Sequence, residues 1–145
     1  MNPIERPVYG LTVRGEELDV EISAPDWPAL VTVAVLAVSD AMRPLGNFQT
    51  WTARRVSARV HGHVAQLERW VKESLDDWKV AGFLPALVEL EHAEEGRLSG
   101  ILRGGCVERS EVHPAHPIAS VVHGSVAVTP GVDGAPWRAR LTLRG

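Results

Sequence analysis

The sequence predicts an α+β fold, a two-layer sandwich in which two helices pack on a mostly antiparallel sheet. Three observations predict it. The hydrophobic pattern alternates with period two, switches to helical spacing twice, and then returns to alternation. The resulting order is ββαβα followed by a run of strands. Two hairpin signals fall in the second half, which favours neighbouring strands in an antiparallel sheet over a parallel doubly wound one.

The elements follow from the residues in chain order. Residues 8–14 and 18–23 alternate apolar and polar, with Leu18, Val20 and Ile22 on one face and Asp19 and Glu21 on the other. Ala24-Pro25 ends the second run, Asp26 stands where an N-cap belongs, and Pro28 falls in the first turn of a helix reaching about Met42. Its valine-rich stretch 29–38 is apolar all round and matches a buried strand as well. The start signals, the length and the Pro44-Leu45-Gly46 stop favour a helix buried on most of its surface. Residues 51–62 alternate Val56, Ala58 and Val60 with Arg55, Ser57 and Arg59, a strand with one wet face.

Val64, Leu67, Trp70, Val71, Leu75 and Trp78 then recur at three- and four-residue steps, an amphipathic helix over 63–79 that Gly82 can cap. Strands are expected at 84–92 and 97–103 around Ala93-Glu94-Glu95-Gly96, and a further one at 106–112. His113-Pro114-Ala115-His116-Pro117 cannot be regular, because two prolines remove donors and fix φ. The chain closes with 118–129, a Gly131-Val132-Asp133-Gly134 turn, and 137–143, a second hairpin. No linker, repeat or low-complexity segment divides the chain, so 1–145 reads as one domain.

Composition narrows the function classes. The 45% hydrophobic and 23% charged content argues against disorder. With 15 basic against 18 acidic residues, direct nucleic-acid binding is not expected, because phosphate neutralisation needs clustered Lys and Arg. Arg54, Arg55 and Arg59 form the densest basic group, and three charges on one segment read as a solvated face. Cys106 is the only cysteine, so no internal disulfide forms, and the N-terminus lacks a signal-peptide pattern. The apolar stretch 29–38 falls well short of the ~20 residues a membrane span needs. The expected location is the cytoplasm.

No Gly-rich phosphate loop is present, and adjacent Gly104-Gly105 are read as a turn between strands. Ser125 in His123-Gly124-Ser125 lacks the spacing of a nucleophile elbow. Cys106, His113, His116 and His123 lie within eighteen residues and carry zinc-ligand chemistry, at a spacing that fits no standard zinc module. Asp40, Asp76 and Asp77 sit near helix C-termini, where acids oppose the macrodipole, and Asp19 projects from the wet face of its strand. Trp70 and Trp78 belong to a helical core stripe, whereas Trp27, Trp51 and Trp137 stand at element starts, open to partner contact.

The order of these features resembles the archease family over residues 18–143. Leu18-Asp19-Val20-Glu21-Ile22 is similar to its His-Thr-Ala-Asp motif and following strand, and Ser39-Asp40-Ala41-Met42 to its aromatic-Asp-x-Met helix ending. Leu75-Asp76-Asp77 resembles its Leu-x-Asp ending, and Ala119-Ser120-Val121-Val122-His123 the segment that ends in Thr-Tyr-His. The residues after Gly134, beginning Trp137-Arg138-Ala139, resemble its closing hairpin.

The resemblance implies a non-catalytic accessory protein that promotes guanylylation and multiple turnover of an RtcB-type, GTP-dependent RNA ligase in tRNA splicing or RNA repair. It also implies a divalent cation, Ca²⁺ or Mn²⁺, at Asp19, with Asp40, Asp76, Asp77 and His123 as further site candidates. The sequence departs from the family pattern at several positions. The motif histidine falls on Glu16, the Glu and Lys before the final histidine fall near His116 and Ile118, and the C-terminal partner acid falls on Arg144. These departures keep an alternative in view, a binding module of this fold that has lost the metal and serves another protein or ligand.

Overall fold

The computed structural model describes residues 8–42, 52–107 and 120–145. Its order is β1 (Val8–Arg14), β2 (Glu17–Ala24), α1 (Trp27–Met42), β3 (Thr52–Ala58), α2 (His63–Ala81), β4 (Phe83–Glu94), β5 (Arg97–Cys106), β6 (Ser120–Val121), β7 (Ala127–Thr129) and β8 (Trp137–Arg144). The α+β class is the expected one, with two helices on antiparallel strands. The expected single sheet is instead two. One runs β1-β2-β8-β6 with β7 also on β8, and the other runs β3-β5-β4. The split follows from long-range pairing that local pattern does not encode, such as Glu17 opposite Arg144.

The first sheet is built from alternation. Leu18, Val20, Ile22 and Ala24 of β2 are buried with Ala139, Leu141 and Leu143 of β8, while Glu17, Asp19, Glu21 and Ser23 point outward. Arg138, Arg140, Thr142 and Arg144 of β8 lie beside that outward row, since Ser23 pairs with Arg138 and Asp19 with Thr142. Gly15, at φ 62°, closes the two-residue turn between Arg14 and Glu17, a conformation costly for other residues.

Asp26 caps α1 as expected: Ala29 donates its backbone N–H to the Asp26 carboxylate at 2.8 Å. Eleven residues of α1 are buried, because it touches β1, β2 and β8 of one sheet, β4 of the other, and α2. This burial on most sides explains why its sequence shows so little amphipathic contrast. In α2 the buried stripe is Gln66, Leu67, Trp70, Val71, Ser74, Leu75 and Trp78, and Gly82 ends the helix in the left-handed region, donating to the Trp78 carbonyl at 2.8 Å. Val64, expected on that stripe, is 43% exposed, since the first helical turn precedes the core contact. Trp70 donates its indole N–H to the Val31 carbonyl at 3.0 Å, tying the helices together.

Two expectations on the later strands are corrected. Gly104 and Gly105 lie inside β5, which runs on to Cys106, and are not a turn. The stretch expected as one strand over 118–129 is broken within its described part. Gly124, at φ 77°, lies in the interruption between β6 and β7, which both pair antiparallel with β8 and so run in the same direction, and Ser125 accepts the Thr142 backbone N–H at 3.0 Å and donates to the Val122 carbonyl at 2.7 Å. The proline-rich segment 113–117, the Pro44-Leu45-Gly46 stop and Trp51 lie outside the described residues.

Candidate functional site

The outward face of β1, β2 and β8 carries Asp19 in a dense polar cluster. Register places Asp19 opposite Thr142 on β8. The two-residue hairpin brings Arg14 of β1 over the same face. Arg14 donates Nε to Asp19 Oδ2 at 2.5 Å and Nη2 to Oδ1 at 3.0 Å, and Thr142 donates Oγ1 to Oδ1 at 2.8 Å. A bidentate guanidinium fork of this kind is the strong form of charge-assisted bond. Two residues along the row, Glu17 pairs with Arg144 and lies 3.6 Å from Arg14.

This donor set holds the Asp19 carboxyl down to about 2, first through the Arg14 hydrogen bond and then through Thr142. A carboxyl lowered in the folded state stabilises the fold above its unfolded value of 3.8, and that contribution is lost as pH falls through about 2. Replacing Arg14 by Gln is expected to return Asp19 most of the way toward 3.8, with Thr142 retaining part of the shift. Carboxyl-carbon NMR titration reads this directly. A value still near 2 in the variant would assign the shift to Thr142 and Arg140 instead.

The other sequence candidates lie elsewhere. Asp40, at the end of α1, accepts the Tyr9 hydroxyl at 2.5 Å. Tyr9 is opposite Ile22, so Asp40 meets the inner face of the sheet and Asp19 the outer. Burial, then the Asp40 hydrogen bond, pushes the Tyr9 hydroxyl up to about 12. Asp76 pairs with Lys79 at 3.5 Å. Burial raises the Asp77 carboxyl, against the lowering influence of Arg54. His123, in the β6–β7 turn, is fully exposed and lies 3.8 Å from Glu68.

The five candidates are therefore distributed over separate settings. Among the described residues no three His, Cys, Asp or Glu side chains converge as a metal site. Cys106 is exposed at the end of β5, and His113 and His116 lie outside the described residues.

A second polar and aromatic junction stands where the starts of α1, α2 and β8 meet. Trp27 and His63 rings are 4.5 Å apart, and His63 meets Trp137 edge-on at 5.0 Å. The sequence placed Trp27 and Trp137 at element starts, but Trp27 is buried, and its indole N–H has no partner among the described residues.

Sequence reasoning identified Asp19 as outward-facing and missed its partners Arg14 and Thr142, as it missed Tyr9 as the partner of Asp40. Arg14 had a usable signal, because a two-residue turn after it places it on the face of Glu17 and Asp19. Thr142 had none, since its pairing spans 123 positions.

No family model and no curated protein matches the sequence. Among solved structures the chain is similar to Methanobacterium thermoautotrophicum protein 1598, determined in solution, with a TM-score of 0.75 and 17% identity over 94% of this chain and 98% of that one. At that identity the likeness is one of fold.

Proposed function

We propose that this protein is an archease-like accessory factor, which promotes guanylylation and repeated turnover of an RtcB-type RNA ligase in the cytoplasm without performing the ligation itself. The observation that carries the reading is positional. The residues of the ordered resemblance fall on matching elements: Asp19 in β2, Asp40 at the end of α1, Asp76 and Asp77 in the last turns of α2, and His123 after β6. An antiparallel α+β fold around them supports the same reading. With a formal net charge of −3, the RNA is left to the ligase.

The residues present do not fit the divalent cation that the resemblance implies. Ca²⁺ takes about six to eight oxygen ligands, mostly carboxylate and carbonyl. Here Asp19 is clasped by Arg14, and the position of the partner acid is Arg144, bound to Glu17. Two guanidiniums beside the carboxylates repel a cation and satisfy their lone pairs. Arg14 thus supplies within the chain a positive charge at Asp19, and no step of the proposed action runs through a metal. Asp19 stays ionised throughout the neutral range, and Arg14 fixes its orientation for contact with a protein partner.

The same guanidiniums favour the second reading, a binding module that has lost the metal and serves another protein or ligand. Stimulation of ligation by the unaltered chain separates the two, and Asp19→Asn tests the part Asp19 plays in it. In multiple-turnover ligation, the variant is expected to lower stimulation about tenfold while leaving circular dichroism unchanged, an effect worth about 1.4 kcal/mol of coupling. Unchanged stimulation would remove Asp19 from the proposed action. Calorimetric titration with CaCl₂ or MnCl₂ is expected to show no heat of binding at Asp19, and saturable binding lost in Asp19→Asn would restore the metal.

A further inference from the structure

We infer that β1 is a self-association edge, through which a second copy of this chain extends the first sheet by antiparallel β1–β1 pairing. Among the described residues β1 ends the sheet order, so one whole side of its backbone faces away from β2. Such an edge is a template for another strand, and natural proteins guard against it with charge, proline, bulges or brevity.

The other edges among the described residues carry those guards. β4 contains Pro85, register shifts at Pro85/Leu87 and Leu90/His92, and Glu89 and Glu91. β3 carries Arg54 and Arg55, while β6 and β7 are two and three residues long. β1 has none within its length: seven residues in unbroken register, without proline, acid or lysine, and with its single charge, Arg14, at the end.

Its side chains are also the wrong kind for an open edge. Of the eight large hydrophobic residues exposed among the described residues, four lie on β1: Val8, Tyr9, Leu11 and Val13. Tyr9, Leu11 and Val13 stand opposite Ile22, Val20 and Leu18, so they continue the core face to the sheet edge, where α1 reaches Tyr9 through Asp40.

The occupant is specified by self-complementarity. Full overlap of seven residues in antiparallel pairing centres on Leu11. Val8 then faces Arg14 of the second copy, Tyr9 faces Val13, Gly10 faces Thr12, and Leu11 faces Leu11. No like charges meet, and two aromatic with β-branched pairs form. A two-fold axis normal to the sheet keeps both core faces on one side, so the two exposed rows adjoin. A contact through one strand pair is of the small, reversible class, so association is sought between about 1 µM and about 100 µM.

Sedimentation of the full chain over that concentration range tests it. The expected mass rises toward twice the 15.8 kDa protomer, and Leu11→Lys, which sets two ammonium groups opposite each other, remains a protomer throughout. In a Cys106→Ser background, Leu11→Cys is expected to cross-link under mild oxidation, because directly opposed residues lie about 4.5–5.5 Å apart, within disulfide reach. Leu87→Cys, exposed on the guarded β4 edge, is expected not to. If Leu11→Lys loses its circular dichroism, the cysteine comparison decides alone. A wild-type chain that stays a protomer, a dimer that survives Leu11→Lys, or equal cross-linking at Leu87→Cys would overturn the inference. A β1 occupied only by another protein's strand would overturn it too.

Discussion

Gly104→Ala is expected to destabilise the protein by about 3 kcal/mol or more, the upper range for overpacking, and to leave it largely unfolded if its stability is ordinary. A Cβ at Gly104 would stand 1.9 Å from the Leu84 carbonyl oxygen and 2.8 Å from the Pro85 Cα. Both obstacles are backbone, so no rotamer change relieves the overlap. The cause is the register shift between Pro85 and Leu87, which brings β4 in close over the central strand β5.

The same arrangement recurs at Gly100, beneath the second shift, where a Cβ would meet the Glu89 carbonyl oxygen at 2.7 Å. Gly10→Ala is the control, since a Cβ there meets nothing within 4 Å, and it should be neutral or slightly stabilising. Denaturant unfolding of the two variants side by side checks the contrast. Equal stability would mean that β4 does not approach β5 as described.

Trp70→Ala is expected to cost about 3–5 kcal/mol, the range for removing a large buried aromatic. Trp70 is fully buried between the helices, and its indole donates to Val31 of α1. The loss therefore combines a cavity, lost apolar burial and a missing inter-helix hydrogen bond. Trp70→Phe retains most of the volume and should cost much less, about 1–2 kcal/mol. Thermal unfolding reads the difference, with a midpoint drop of roughly 10 °C or more for the alanine variant. A small change in Trp70→Ala would show that α1 and α2 do not share this contact.

These two sites also show what the sequence made legible. Trp70 stood out because three- and four-residue spacing is a local property, and the structure keeps it in the α2 stripe. At Gly104 the sequence points to the wrong element, since an adjacent glycine pair looks alike in a turn and beneath a bulge. Only the β4 backbone, brought over it by tertiary pairing, decides between them. α1 was recognised from Asp26 and Pro28 despite an apolar surface on nearly all sides. The division into two sheets was hidden, because it depends on Glu17 meeting Arg144 from the far end of the chain.

The candidate site follows the same division. Alternation placed Asp19 on the outer face, where it would ordinarily be solvated. Its clasp by Arg14 depends on the hairpin, and its bond from Thr142 on the β2–β8 register. Sequence order aligned Asp40, Asp76, Asp77 and His123 with one family's pattern, yet it carried no distances. Asp40 is held by Tyr9 on the opposite side of the sheet, and His123 stands near Glu68. Order along a chain reports fold more faithfully than it reports a shared site.

Action through a ligase is tested most directly by multiple-turnover RNA ligation with the source organism's own RtcB-type enzyme. With this protein present at substoichiometric amounts, each ligase is expected to complete more turnovers than it does alone. Turnover that is unchanged by its addition would contradict action on the ligase and leave a metal-free binding module.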